Sequence, residues 1–136
     1  MMGEHEGFDS RIQMTEAAPD AYRAYLGFHL TNEESLLKMA ETGEGELAGF
    51  CLATINRNLP MFLPPRYGYL SDLVVAPSMR RRGIGRQLVH AVVQWLGQEG
   101  IESIQLQVYS QNQDGAQFWK AMGFHSYYDR MWFDLP

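Results

Sequence analysis

The sequence has a single cysteine, Cys51, which excludes an intrachain disulfide and a cysteine-built metal cage. No apolar run approaches the roughly 18 residues that a membrane span needs. The stretch from Met1 to Arg11 is polar and acidic (Glu4, Glu6, Asp9) and lacks the apolar segment of a secretory leader. These absences predict a cytoplasmic chain with no membrane partner. There is no internal repeat and no low-complexity tract. The nearest thing to a linker runs from Asn56 to Arg66, with Pro60, Pro64 and Pro65 around Met61-Phe62-Leu63. It is too short to separate two cores and reads as a loop within one domain spanning 1–136. Hydrophobic residues at 46%, aromatics at 12% and charged residues at 20% are a globular composition and argue against disorder.

Charge is unevenly placed. Residues 1–50 hold ten acids and three bases, a balance of −7, whereas residues 51–136 hold six acids and eight bases, a balance of +2. Four of those bases fall within seven positions: Arg80, Arg81, Arg82 and Arg86. An acidic half beside a basic spot suits two ligands of opposite charge, and it equally suits a solvated surface with one cluster. Nucleic acid is a poor partner: the net charge is −5, and the arginines sit in one loop rather than along a face.

The second half carries the clearest periodicities. Tyr69 to Val75 is rich in aromatic and β-branched residues, stops at Pro77, and predicts a buried strand. Ile84, Leu88, Val92 and Trp95 or Leu96 recur at helical spacing, predicting a helix over Ile84 to Gln98 with Gly100 as its stop. Ile104, Leu106 and Val108 alternate with Gln105 and Gln107 as in a half-buried strand. Asn112 or Asp114 can cap a short helix through Ala116, Trp119 and Met122, ended by Gly123. A last strand is expected from Tyr127 to Leu135, with Met131, Trp132 and Phe133 in the core or at a dimer edge. Earlier in the chain, Arg11 to Met14 predicts a short strand and Pro19 to Phe28 a helix. Leu36 to Glu41 and Glu46 to Ile55 predict two strands around the turn Thr42-Gly43-Glu44-Gly45. The whole is a mixed α/β sheet protein.

The run Leu73-Val74-Val75-Ala76-Pro77-Ser78-Met79-Arg80-Arg81-Arg82-Gly83-Ile84-Gly85-Arg86 leads from a strand through a basic glycine loop into a helix. Its chemistry is that of an anion site. The first helical turn has unpaired N–H groups and the positive end of the dipole. Glycines at 83 and 85 let an anion approach those donors, and arginines add charge and forked donors. A Walker loop is absent, and the third small residue of a dinucleotide fingerprint is replaced by Leu88.

These residues resemble the GNAT superfamily of N-acetyltransferases. Arg80-x-x-Gly83-x-Gly85 matches its R/Q-x-x-G-x-G/A signature, and Leu73-Val74-Val75-Ala76-Pro77 matches its L-x-V-x-P strand end. Asn112 followed by Ala116-Gln117-Phe118-Trp119-Lys120-Ala121-Met122-Gly123-Phe124 matches its A-x-x-F-[YW]-x-x-x-G-F helix. The resemblance covers about residues 46–136; residues 1–45 match weakly and fall on the acceptor side. It implies a mixed, mostly antiparallel sheet with splayed central strands flanked by helices. It also implies acetyl-CoA in the gap, its pantetheine arm on Leu73, Val74 and Val75. The pyrophosphate would then rest on N–H groups of Arg81, Arg82, Gly83, Ile84, Gly85 and Arg86, with Arg80 also toward the cofactor and Asn112, Phe118 and Trp119 facing it.

Direct transfer of acetyl to an amine is the activity so implied, the Val75 N–H donating to the thioester oxygen. Where many relatives carry a tyrosine acid this chain has Trp119, whose indole cannot supply a proton. Tyr109, Tyr127 and Tyr128 are candidates to replace it, or are packing and rim residues. Some relatives carry a glutamate where this chain has Ser71; the neighbouring Asp72 is the only acid between Glu46 and Glu99. Asp72 is expected to orient the amine or relay its proton, or else to cap a loop or pair with Arg66 or Arg130. His90 reads as solvated or packed, Cys51 as a small buried hydrophobe, and no metal site is expected. The acceptor is a small-molecule or peptide amine, in a pocket framed by Tyr22, Tyr25, Phe28 and the Pro60–Tyr67 loop. The excess acid of that half suits a cationic one. The alternative on the same fold is a catalytically poor acyl-CoA-binding module. Monomer and homodimer both stay open.

Overall fold

The computed structural model describes residues 18–136. The short strand expected at Arg11 to Met14 lies outside them. In chain order the elements are α1 (Ala18–Leu30), β1 (Ser35–Glu41), β2 (Leu47–Arg57), β3 (Arg66–Val75), α2 (Ile84–Gln98), β4 (Ile104–Gln105) and α3 (Gln113–Ala121), with a 3₁₀ turn at Pro77–Met79 before α2. The four strands form one sheet in the order β1-β2-β3-β4. The first two pairings are antiparallel and the last is parallel. The fold is therefore the mixed α/β sheet that the residues predict, with the mostly antiparallel order that the family resemblance implies.

α2 runs over the residues its periodicity predicts, because Leu88, Val89, Val92 and Leu96 put a wide apolar stripe on one side of it. That stripe meets Cys51, Ala53, Ile55 and Leu70 from the sheet, and Leu36, Leu73 and Leu106 pack around them. The approach is close enough that a Cβ on Gly68 would collide with the Leu96 side chain. Leu96→Ala, at 1% exposure, is the kind of core truncation that costs about 2–5 kcal/mol. Cys51 is fully buried here, and burial pushes its thiol up to about 11. The expected inert, core cysteine is what the fold contains.

The opposite face of the sheet carries α1, whose Tyr25 hydroxyl lies 3.2 Å from Ser71 Oγ. A bulge sets the register between the two faces. Leu52 pairs with Asp72 but Ala53 pairs with Leu70, so Ser71 is an extra residue in β3. Ser71 and Asp72 are thereby turned to the α1 side together, while Leu70 and Leu73 both pack toward α2.

Two expectations fail. Only Ile104–Gln105 of the stretch to Val108 joins the sheet, paired with Gly68 and Tyr69. Tyr127 to Leu135 forms no strand, and Met131, Trp132 and Phe133 are 92%, 60% and 81% exposed rather than in the core. Alternating apolar residues make a strand only where an edge offers a ladder, and the ladder at β4 ends at Gln105.

Candidate active site

β3 pairs with β2 along its whole length, but on its outer side only Gly68 and Tyr69 have partners in β4. From Leu70 to Val75 that outer edge has no strand against it among the described residues. This is the splay that the resemblance implies. Gly68 N–H points outward, to the Ser103 carbonyl at 2.8 Å, and Ala76 N–H points inward, to the Ala48 carbonyl at 2.8 Å. Strand alternation counted back from Ala76 turns the amides of Val75 and Leu73 outward. Without the extra residue at Ser71 the parity would be the reverse. The bulge thus aims the two amides at the open edge.

At the end of that edge stands the glycine–arginine loop. Arg81 has φ 62° and Gly83, the residue preceding α2, has φ 82°. Left-handed residues between right-handed ones curl successive N–H groups toward one point. The first helical bond is Gln87 N–H to the Gly83 carbonyl, and no side chain caps α2, which leaves the amides of Ile84, Gly85 and Arg86 for a ligand. Arg81, Arg82 and Arg86 are exposed, so their guanidinium groups are available to a bound anion. Arg80 folds back, its Nε 3.2 Å from the Val75 carbonyl, and ties the loop to the strand end. A Cβ on Gly85 would lie 3.4 Å from the Phe118 ring and 3.7 Å from Val75 Cγ2. The end of β3, the start of α2 and the sequence-distant α3 therefore meet at Gly85.

α3 is capped by Asn112, whose Oδ1 accepts from Gly115 N–H at 2.9 Å, so Asn112 rather than Asp114 is the cap. Trp119 is half-buried between two rings, edge-on to Phe118 at 4.9 Å and to Phe124 at 5.2 Å. Tyr109 is half-buried in the turn before α3, where its carbonyl accepts from Asn112 N–H. Tyr127 and Tyr128 are 82% and 66% exposed.

On the α1 side lies a cleft of about 340 Å³, lined by Tyr25 and His29 of α1, Asn32 and Glu34 of the following turn, Ser35, and Thr54, Asn56, Tyr69 and Ser71 of the sheet. Its floor is a cross-strand row, Ser35 to Thr54 to Tyr69. Of the residues expected to frame an acceptor pocket only Tyr25 lines it. Phe28 is 63% exposed, the Pro60–Tyr67 loop is elsewhere, and the Tyr22 side chain lies outside the description.

Asp72 is buried, at 7% exposure, and does not line the cleft. Its Oδ2 lies 3.0 Å from Ser71 Oγ and 3.4 Å from the Tyr25 hydroxyl, while Ser71 Oγ is also 3.2 Å from the Leu52 carbonyl. The expected pairing with Arg66 is not made: Arg66 donates to the Glu99 carbonyl. Burial raises the Tyr25 phenol, opposed by its hydrogen bond to Ser71 and aided by the Asp72 charge. Burial likewise raises Tyr69, with Tyr128, Tyr67 and Asp72 adding to it and Arg130 opposing. Glu34 is clasped at both oxygens by Arg57, at 2.9 and 2.7 Å, and that bond lowers its carboxyl. His29, Ser35, Thr54 and Tyr69 had no signal in the sequence, since they sit on four separate segments.

The profile of the acetyltransferase (GNAT) family matches residues 4–124, which carries the likeness into the N-terminal region that the motifs alone left weakly matched. The chain is 30% identical over 101 residues to the uncharacterized N-acetyltransferase YhfO of Bacillus subtilis (strain 168), an alignment covering 74% of this chain and 66% of that protein. It thus spans just under two thirds of that relative's length. Among solved structures, a mutant of the BH1408 protein from Bacillus halodurans superposes with a TM-score of 0.84 at 20% identity, over 98% of this chain and 86% of the other. AAC(6')-Iy in complex with the bisubstrate analogue CoA-S-monomethyl-acetylneamine superposes with a TM-score of 0.74 at 24% identity, over 86% and 80% of the two chains.

Proposed function

The chain belongs to the acetyltransferase (GNAT) family, and on that premise we propose that it moves an acetyl group from acetyl-CoA directly onto a primary amine of a small molecule or peptide. The observation that carries this reading is the open outer edge of β3 from Leu70 to Val75, with the anion-binding loop at one end and the cleft at the other. Pantetheine is a chain of amides, and an exposed strand edge receives such a chain as it would an added strand. Leu73 and Val75 supply the outward amides, and Val74 lies between them. The pyrophosphate takes the N–H groups of the Arg81–Arg86 turn, with the exposed arginines for charge. Arg80 holds the turn on the strand, and Phe118 and Trp119 wall the arm.

The Val75 amide donates to the thioester oxygen as charge develops on it. The amine enters from the cleft. Asp72 acts at one remove, holding the hydroxyls of Ser71 and Tyr25 so that they orient the incoming nitrogen. Tyr109 is the proposed proton donor to the leaving thiolate, because Trp119 cannot serve. The excess acid of residues 1–50 favours a cationic acceptor.

The test is thiol release from acetyl-CoA in the presence of 1,4-diaminobutane, glucosamine or N-α-acetyl-lysine amide. Cys51, buried with its thiol pushed up to about 11, adds no background to a thiol reagent at neutral pH. Amine-dependent thiol release above the hydrolysis blank is expected with at least one of them. Stabilisation by acetyl-CoA with no amine-dependent release would instead make the chain an acyl-CoA-binding module.

A further inference from the structure

We propose that the row Met131, Phe133 and Leu135 is a homodimer interface, packed face to face on the same row of a second copy about a two-fold axis at Phe133. The inference stands apart from the acetyl-transfer reading.

Alternation defines the row. In an extended chain Met131, Phe133 and Leu135 fall on one side and Arg130, Trp132 and Asp134 on the other. Two contacts agree with that division. Trp132 Nε1–H donates to Asp134 Oδ1 at 2.7 Å, a bond between residues two apart on one side. Tyr128 and Arg130 stand beside Tyr69 of β3, so the even-numbered side leans on its own chain. The Tyr127 and Tyr128 rings pack on each other at 5.5 Å, which starts the extended stretch after them.

Exposure separates the two sides. Met131, Phe133 and Leu135 are 92%, 81% and 86% exposed, against 60% for Trp132. With Tyr127 and Tyr128 flanking the row, six large apolar side chains of one short segment stand in water. At roughly 150–250 Å² for a large side chain, they leave on the order of 900 Å² exposed. The largest apolar patch of a typical monomer is about 300–600 Å². A stable interface takes about 800 Å² from each partner. The segment therefore exposes more than a monomer carries and as much as a dimer needs.

The occupant is a second copy because the row is its own complement. Phe133 is central, and Met131 and Leu135, of nearly equal volume, flank it. A two-fold axis crossing the segment at Phe133 lays ring on ring and Met131 on Leu135. The row itself holds no charged residue, so the contact sets no like charges against each other. The other exposed apolar run, Leu59 to Leu63, lacks this property. Pro60 interrupts it and Pro64 follows it, so it presents no alternating row.

The experiment is sedimentation equilibrium on the full chain. A particle of twice the 15.6 kDa chain mass is expected at about 100 μM, dissociating on dilution. F133R sets two guanidinium groups against each other on the axis and should weaken the dimer about 100-fold, and M131R by a similar factor. Both side chains are so exposed that the variants should keep the far-UV circular dichroism of the parent. F62R, in the Leu59–Leu63 loop, should leave the dimer intact. A second readout is oxidation of Met131 by excess peroxide, followed by peptide mass spectrometry. It should be slow in the dimer and fast on dilution. A monomer at that concentration, a dimer indifferent to F133R and M131R, or one broken equally by F62R overturns the proposal. So does a monomer whose Met131 resists oxidation at every concentration, because its own chain would then cover the row.

Discussion

The two sides of β3 are built from different materials. Toward α2, the candidate acetyl-CoA site is backbone: the outward amides of Leu73 and Val75, the uncapped amides of Ile84 to Arg86, and two left-handed residues, Arg81 and Gly83. Toward α1, the cleft is side chains, with hydroxyls, amides and an imidazole from four stretches of chain. A backbone site needs only glycines and a helix start, so it tolerates many side chains and repeats from protein to protein. A side-chain site is specified residue by residue. The difference teaches where a shared acetyl donor and an individual acceptor would each be read.

If the two sides are separable, variants should split cleanly between them. The largest split is expected for Gly83→Trp. A Cβ there meets open space, so an indole would stand over the α2 amides that the proposal gives to the phosphate, and the φ of 82° also lowers the variant's starting stability. The quantity to compare is therefore the shift that acetyl-CoA adds. At a ligand concentration of 100 Kd a folded-state ligand adds about 2.7 kcal/mol, which Gly83→Trp should lose and His29→Asn should keep. A shift lost in both would break the comparison.

Tyr25→Phe acts on the other side. It removes the hydroxyl that reaches Ser71 and Asp72 and should cost about 1 kcal/mol in denaturant unfolding. The acetyl-CoA shift should be untouched while KM for the amine rises. Asn112→Ala removes the cap of α3 on the donor side, with an expected cost of about 1 kcal/mol or slightly less. It should weaken acetyl-CoA binding only as far as α3 frays away from Gly85.

The smallest effect belongs to the rim of the cleft. Arg57 holds the Glu34 carboxyl below its usual range, so the pair stabilises the folded chain at pH values above ordinary carboxylate titration. That contribution is lost as pH falls through the lowered value. Glu34→Gln should therefore unfold slightly more readily than the parent at pH 7 and indistinguishably from it in acid. The pair is exposed and screened, so high salt should erase the difference.

The parts of the fold that the sequence predicted share a cause. α2 has the bounds its apolar spacing gives, because a 3.6-residue stripe has one way to be buried. The Asn112 cap and the glycine–arginine turn are likewise local, each decided within a few residues. The failures are all long-range. Tyr127 to Leu135 alternates like a strand and has no ladder to join, because pairing is a property of two segments. Asp72 looked like a lone acid in an apolar strand, and only packing supplied the Tyr25 hydroxyl from 47 positions away.

The sequence by itself determined the family motifs, the glycine–arginine turn and the helix that follows it, since glycine placement, arginine density and hydrophobic period act over one or two turns of chain. Only the tertiary structure decided the bulge at Ser71, the direction of the Val75 amide and the meeting of His29 with Ser35 across from Tyr69. The physical reason is that strand register and the docking of a helix on a sheet face are set by the sum of many buried contacts, which no single stretch of residues contains.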